Sequence, residues 1–245
     1  MPDTLIQVAP QVWVFPRDED PNRIQPNVGI IVAGGQTVLI DGGNSPRHAR
    51  RILLSLDDIA APAVSHVIYT HSHWDHVFGA MVFGAPAIAH DLCRKQLAEM
   101  ATKPWGHAYI QEEIMRFPAR EAGLRALGRT IEDWRNFRIV VPEITMSKTL
   151  QVYLGDLTIE IEHVGGVHAP ESVIVRIPEQ RVLFTGDCYY PPPIHLRRPD
   201  DALDATMIES LLDDQIDVYI DGHGLPRSRD EFAALISGGR NGELS

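Results

Sequence analysis

The sequence predicts an α/β protein: a four-layer αβ/βα sandwich, two β-layers with helices outside, carrying a helical insertion. Three observations lead there. Short apolar runs bounded by Gly, Pro, Asn and Asp alternate with helical segments in the order strands, helix, strand, helices, strands, helix, strand, helix. Between about 91 and 136 the pattern changes to a stretch rich in Ala, Arg, Glu, Leu and Met, of helical character. A length of 245 residues with a hydrophobic share of 44% is enough for a substantial core. We read residues 1–245 as one domain, with the insertion at about 91–136.

The elements follow in order. Val12 to Phe15 is a short apolar strand, and Asn27 to Ala33 and Thr37 to Ile40 flank a hairpin-like turn at Gly34-Gly35-Gln36. Asp41-Gly42-Gly43 ends the second of these. Ser45 then caps a helix running to about Leu56, with Pro46 in its first turn. Val64 to Thr70 is the next strand. The insertion carries aromatics at Trp105, Tyr109, Phe117 and Trp134, and it breaks at Pro104 and Pro118. Thr149 to Leu154 and Leu157 to His163 pair across Gly155-Asp156. Ser172 to Ile177 and Arg181 to Thr185 pair around Pro178-Glu179-Gln180. A helix near Leu203 to Leu212 leads to a strand from Asp217 to Asp221. The closing helix opens at Ser228 with Glu231 as its capping-box partner. The tail from Gly238 to Gly242 is expected to be mobile.

Formal charge is −11, from 22 basic and 33 acidic residues. That disfavours a broad nucleic-acid surface, which needs clustered Lys and Arg. It does not fix the sign of a pocket, where metal ions dominate locally. Cys93 and Cys188 are distant and form no CxxC pair, so no disulfide scaffold is expected. No signal peptide and no bilayer-spanning run is visible, which gives a cytoplasmic expectation.

The chemistry concentrates in Thr70-His71-Ser72-His73-Trp74-Asp75-His76. Side chains two apart in extended chain face the same way, so His71 and His73 can hold one ion together. Asp75 and His76 follow where the chain must turn, and can point at a second ion nearby. Imidazole and carboxylate suit zinc and similar borderline ions. Three later positions, each at or after a strand end, complete a cluster: His168 in Gly-Gly-Val-His-Ala-Pro, Asp187 in Thr-Gly-Asp, and His223 in Asp-Gly-His-Gly. Two open metal sites would require a third ligand for each ion and a carboxylate between them.

From about Asn27 to Pro226 these residues resemble the metallo-β-lactamase fold superfamily of metal-dependent hydrolases, through the HxHxDH motif followed by His, Gly-Asp and Gly-His in order. The resemblance implies that His71, His73 and His168 hold one metal, that Asp75, His76 and His223 hold the second, and that Asp187 bridges them. Asp41 matches an Asp at the end of an early strand that supports the ligand cluster from behind; equally, it can cap the turn at Gly42-Gly43. The implied cofactors are two divalent ions, zinc first, with iron or manganese as alternatives. The implied reaction is attack of a metal-activated hydroxide on an ester-like bond: a lactone, a carboxylic ester or a thioester. Asp75 would orient the hydroxide or take a proton. Tyr190 follows Asp187 by three residues, as a tyrosine does in the homoserine-lactone lactonases, where it assists the carbonyl oxygen; an ordinary place in the pocket wall is an equal reading.

Departures narrow the choice. Zinc β-lactamases of the thiol-ligand class carry Cys where Asp187 stands, and glyoxalase II enzymes share all seven ligands but continue into a longer helical domain. The rivals are a phosphoesterase, a mononuclear-iron persulfide dioxygenase using His71, His168 and Asp187, and a non-catalytic metal-binding module. The expected partner is a small-molecule substrate, with no nucleic acid and no membrane; a homodimer is left open. His48, His66, His90, His107 and His195 read as surface or core residues, and His163, Trp74 and Cys188 as packing.

Overall fold

The computed structural model describes residues 4–238. One sheet contains, in spatial order, β1 (Ile6–Ala9), β2 (Val12–Phe15), β3 (Val28–Ala33), β4 (Gln36–Ile40), β5 (Val64–Ile68), β6 (Ala87–His90) and β7 (Ile144–Met146). Its first four strands form an antiparallel meander, and β4 through β7 run parallel. Parallel neighbours need crossovers. These are α1 (Pro46–Asp58), the single turn α2 (Trp74–Val77), and, between β6 and β7, the insertion with α3 (Asp91–Ala101), α4 (His107–Arg116) and α5 (Glu121–Thr130). The second sheet lies in the order β13 (Arg227–Ser228), β12 (Val218–Asp221), β11 (Val182–Gly186), β10 (Val173–Ile177), β9 (Leu157–His163) and β8 (Thr149–Leu154). Only β11 and β12 are parallel there, and α6 (Ala205–Leu211) joins them; α7 (Arg229–Gly238) closes the described chain.

Period-two alternation sorts side chains into layers. In β4, Val38 and Ile40 face the opposite sheet while Leu39 faces the helices; in β11, Val182 and Phe184 face the opposite sheet and Leu183 faces α6 and α7. The inter-sheet core joins Val12, Ile31, Ile68 and Ile88 to Ile159, Ile161, Val175 and Phe184. Fully burying each such side chain contributes about 1.5–3 kcal/mol. One outer core packs Val67 and Tyr69 under Ile52, Leu97, Ile110 and Leu127; the other packs Ile174 and Tyr219 under Ile208 and Phe232. The expected four-layer αβ/βα sandwich is the fold observed.

Local signals placed most elements. Ser45 Oγ accepts from His48 N at 3.1 Å to cap α1, and Ser228 and Glu231 cap each other at the start of α7. The insertion breaks beside Pro104 and at Pro118, as expected. Four strands escaped the sequence reading. β6 and β7 are short, and Ala-Ile-Ala-His is buried throughout, so it has no period to read. Pairing of Ile68 with Ile88 and of Ile88 with Ile144 defines both strands, and that is tertiary information. β1 is short and only half-buried, and β13 is two residues long, too brief for any period to show. Gly238 ends α7, and the rest of the tail expected to be mobile lies outside the described residues. Cys93 and Cys188 are free and buried. No described helix is long and apolar enough to cross a membrane.

Candidate metal centre

The ligand-type side chains gather where both sheets present the carboxyl ends of parallel strands, a common place for open α/β sheets to bind ligands. Asp41 follows β4, the stretch from Thr70 to His76 follows β5, Asp187 follows β11, and His223 follows β12; His168 comes from the β9–β10 connection. Backbone bonds tie the two sheets here. Val173 N–H donates to Thr70 O at 2.8 Å, and Asn27 N–H donates to Gly222 O at 2.7 Å. The buried Asn27 amide also donates to the carbonyls of Asp221 and Gly224, at 2.7 and 2.6 Å.

All seven candidate ligands converge. Their donor atoms form three groups within which every pair lies inside 4.8 Å: His71, His73 and His168; Asp75, His76 and His223; and His71, His76 and Asp187. His73 Nδ1 is 3.0 Å from both His71 Nε2 and His168 Nε2. Tetrahedral ligands 2.0–2.1 Å from zinc would lie about 3.3 Å apart. His223 Nε2 is 3.3 Å from Asp75 Oδ2 and from Asp187 Oδ2, and Asp187 Oδ2 is also 3.5 Å from His76 Nε2 and 3.4 Å from His168 Nε2. His76 Nε2 and Asp187 Oδ1 are buried without a hydrogen-bond partner. Converging imidazole nitrogens and orphaned buried polar atoms are costly unless a cation satisfies them, so this donor set fits divalent metal.

A second layer fixes the ligands. His73 stands just before α2, the turn that brings Asp75 and His76 round to the centre, and its carbonyl accepts from His76 N at 3.0 Å. Asp41 has φ +68°, a left-handed conformation uncommon for a residue with a side chain. Its Oδ2 accepts from His76 Nδ1 at 2.7 Å and from the Thr70 hydroxyl at 2.8 Å, and Thr70 Oγ1 is 3.1 Å from His71 Nδ1. One carboxylate thus orients an imidazole of each prospective site, leaving both Nε2 atoms facing the centre. His168 Nδ1 donates to Pro191 O at 2.8 Å with the same result.

Sequence reasoning missed three supports. Glu171, buried, accepts from Ser72 N at 3.2 Å and from Gln96 Nε2 at 3.1 Å, tying the His71–His73 loop to α3. Asp221 accepts from His223 N at 3.0 Å, from Tyr190 Oη at 2.9 Å, and from Tyr189, Gly224 and Arg227. Gly222 leaves room for Asp187: a Cβ there would fall 2.1 Å from its Oδ1. Only Asp-Gly-His-Gly hinted at the last two, and nothing local marked Glu171.

The electrostatics separate the two triads. Burial, then the charges of His76 and His73, holds His71 well below the usual imidazole pKa; burial and His168 hold His73 down at about 4. Burial opposes charge on His223 as well, but Asp187 and Asp75 outweigh it and push its pKa up to about 10. His76 lies well above its ordinary value because Asp41, Asp75 and Asp187 outweigh its burial. Asp187 is held well below the carboxylate range by His223 and His76, against its burial.

The cluster floors a cavity of about 620 Å³. Trp74, expected only to pack, lines it and also lies 6.4 Å from the Phe78 ring. His195, set aside from sequence, lines it too. Leu124 and Leu127 of α5 form part of its wall, so the insertion shapes the pocket. The Tyr190 ring faces the cavity 6.1 Å from the rings of His168 and His223, with its hydroxyl donating to Asp221. Burial and the charges of Asp221 and Asp187 raise the Tyr190 pKa well above normal, so the phenol stays protonated.

Residues 21–223 match the family model described as the metallo-beta-lactamase superfamily. The acyl-coenzyme A thioesterase MBLAC2 of Homo sapiens is 28% identical over 193 residues, covering 73% of this chain and 63% of that protein. A linear primary-alkylsulfatase of Pseudomonas sp. is 20% identical over 219 residues, covering 78% of this chain and 40% of that protein. The chain therefore spans less than two thirds of the length of these relatives. The stereoselective inverting sec-alkylsulfatase Pisa1 from Pseudomonas sp. superposes with a TM-score of 0.69 at 19% identity, over 98% of this chain and 41% of that one. A metallo-beta-lactamase from Pontibacter korlensis gives 0.63 at 17% identity, over 97% and 98% of the two chains. At such identities the structural likeness concerns the fold.

Proposed function

The chain belongs to the metallo-beta-lactamase superfamily, and on that premise we propose that it is a metal-dependent hydrolase of ester-like bonds: lactones, carboxylic esters or thioesters. The observation that carries this is the overlap of the three ligand groups, with Asp187 between the two outer triads, at the floor of an open pocket. His71, His73 and His168 would hold one divalent ion, Asp75, His76 and His223 the other, and Asp187 would touch both. Bound ions of this kind lower the pKa of water and polarise a carbonyl oxygen. The protein's own residues supply the rest. Asp41 and Pro191 O hold imidazole nitrogens toward the centre, and Asp221 holds the His223 backbone. Asp75, a carboxylate facing the pocket, accepts a proton from the attacking water or orients it. The thioesterase and alkylsulfatase relatives support hydrolysis as the general reaction.

The test is metal analysis joined to a substrate panel. Nearly two zinc ions per chain, with turnover of a lactone, ester or thioester, supports the reading. One iron per chain with oxygen consumption would replace it by the dioxygenase alternative. Turnover confined to phosphate or sulfate esters would move the reaction to those bonds.

Metal loading should depend on pH, triad by triad. His76 and His223 have raised pKa values, so at neutral pH each must release a proton to bind metal; His71 and His73 have lowered values and are already neutral. As pH falls from 8 toward 5.5, the Asp75–His76–His223 triad should lose metal before the His71–His73–His168 triad. Metal content after equilibration across that range should therefore pass through a plateau near one ion per chain. Simultaneous loss of both ions would refute this order.

Tyr190→Phe separates wall from catalyst. The Tyr190 hydroxyl would have to leave Asp221 to reach a substrate carbonyl, and we propose that it does not. Tyr190→Phe is expected to keep kcat within about threefold, because the bond it removes runs to the Asp221 carboxylate and its loss falls on stability and not on the reacting atoms. A fall of about 10²-fold in kcat at unchanged KM, the size seen on losing an oxyanion donor, would place the hydroxyl in the chemistry.

A further inference from the structure

The pocket above the cluster has a composition that hydrolysis alone does not explain. Its walls include Leu124, Leu127 and Ile194, and it is also lined by Arg17, Arg120 and Arg197. In a chain of net charge −11, three arginines around one cavity run against the overall balance. None of them forms an ion pair among the described residues. Arg17 Nη1 donates to the Asp18 carbonyl at 3.1 Å, and its buried Nε has no partner. Arg197 Nε donates to Pro192 O at 3.1 Å. Arg120 lies 5.2 Å from the Phe117 ring centroid. The two acids beside them, Asp18 and Asp20, pair with Arg23, at 3.0 and 3.7 Å. The Arg120 charge also adds to burial in lowering the pKa of His195, another lining residue.

We infer that the pocket selects an anionic amphiphile: an ester-like substrate with an aliphatic segment against Leu124, Leu127 and Ile194, and a carboxylate or phosphate held by Arg17, Arg120 and Arg197. This rests on the hydrolase reading and adds the substrate's charge to it. Guanidinium groups hydrogen-bond carboxylate and phosphate in pairs, and such charge-assisted bonds are about twice as strong as neutral ones. The metal-binding carboxylates, Asp75 and Asp187, face the imidazoles and are not available to neutralise the arginines.

Three thioesters of matched length test it on the protein purified with its metals. S-octanoyl-N-acetylcysteamine is neutral, S-octanoyl-3-mercaptopropanoate is charged on the thiol, and the N-acetylcysteamine monothioester of octanedioate is charged at the far end of the acyl chain. One charged thioester should exceed the neutral one in kcat/KM by at least about tenfold, the smaller end of what a charge-assisted bond contributes. Which of them does so identifies the end that meets the arginines. In the Arg120→Gln/Arg197→Gln double variant, whose altered side chains are both exposed, that ratio should fall to within about threefold of one. A wild-type ratio near one, or a ratio that survives in the double variant, overturns the inference and leaves hydrolysis standing. If no thioester is cleaved, thioester hydrolysis itself fails, and calorimetric titration with decyl phosphate below its micelle concentration decides the charge question. Binding weakened at least about tenfold in the double variant upholds the arginine site; unchanged binding overturns it.

Discussion

With His71 and His168 both replaced by alanine, the protein is expected to lose metal from the first triad and, with it, hydrolysis. Two of the three nitrogens converging there are removed, and His73 Nδ1 alone holds no ion against water. Metal contributes several kcal/mol of transition-state stabilisation, so kcat/KM should fall by about 10³-fold or more. The fold should survive, because the three hydrophobic cores lie elsewhere in the layers. A second readout does not depend on finding the substrate. A ligand that binds only the folded state stabilises it by mass action. Chelation should therefore lower the Tm of the wild type markedly and that of the double variant much less. Equal Tm shifts in the two proteins, or hydrolysis retained without metal, would remove the centre from the function.

The second large effect is expected from one methyl group. Gly222 has no positive φ to excuse it; its lack of a Cβ is a matter of space. In Gly222→Ala the methyl carbon would lie 2.1 Å from Asp187 Oδ1 and 2.8 Å from His76 Cε1. Neither neighbour can yield cheaply. Asp41 fixes the His76 ring, and Asp187 is buried. Overpacking of this kind costs typically 1–3 kcal/mol of stability. The displaced carboxylate is the one common to both prospective sites, so metal affinity and kcat/KM should each fall by about 10²-fold. Metal titration and kinetics on a variant with native circular dichroism would check this. Wild-type affinity in Gly222→Ala would mean that Asp187 does not touch metal.

Much of this centre was legible in the chain. The seven candidate ligands were all named from spacing and resemblance, and each lies within the converged groups. Ligand-type residues crowded into a short run have few structural uses, and that made His71, His73, Asp75 and His76 stand out. The breaks at Pro104 and Pro118, the Ser45 cap and the Ser228–Glu231 box were equally readable, because each signal acts over a few residues. Asp41 had two readings, and its contacts fit one of them: the carboxylate reaches Thr70 and His76, whereas Gly42 N–H donates to His76 O and not to Asp41.

What the chain determined by itself was local: most of the element order, the alternation that separates the layers, and the identity of the donor atoms. These follow from short-range sterics, hydrogen bonding and side-chain chemistry. The tertiary structure alone decided the rest. It made a strand of Ala87–His90 by supplying its neighbours, put the Glu171 carboxylate against Ser72 across 99 positions of chain, turned the Tyr190 hydroxyl to Asp221, and brought Arg17, Arg120 and Arg197 around one cavity. No short-range pattern encodes such meetings, because they arise only when the strand ends of two sheets are packed against each other.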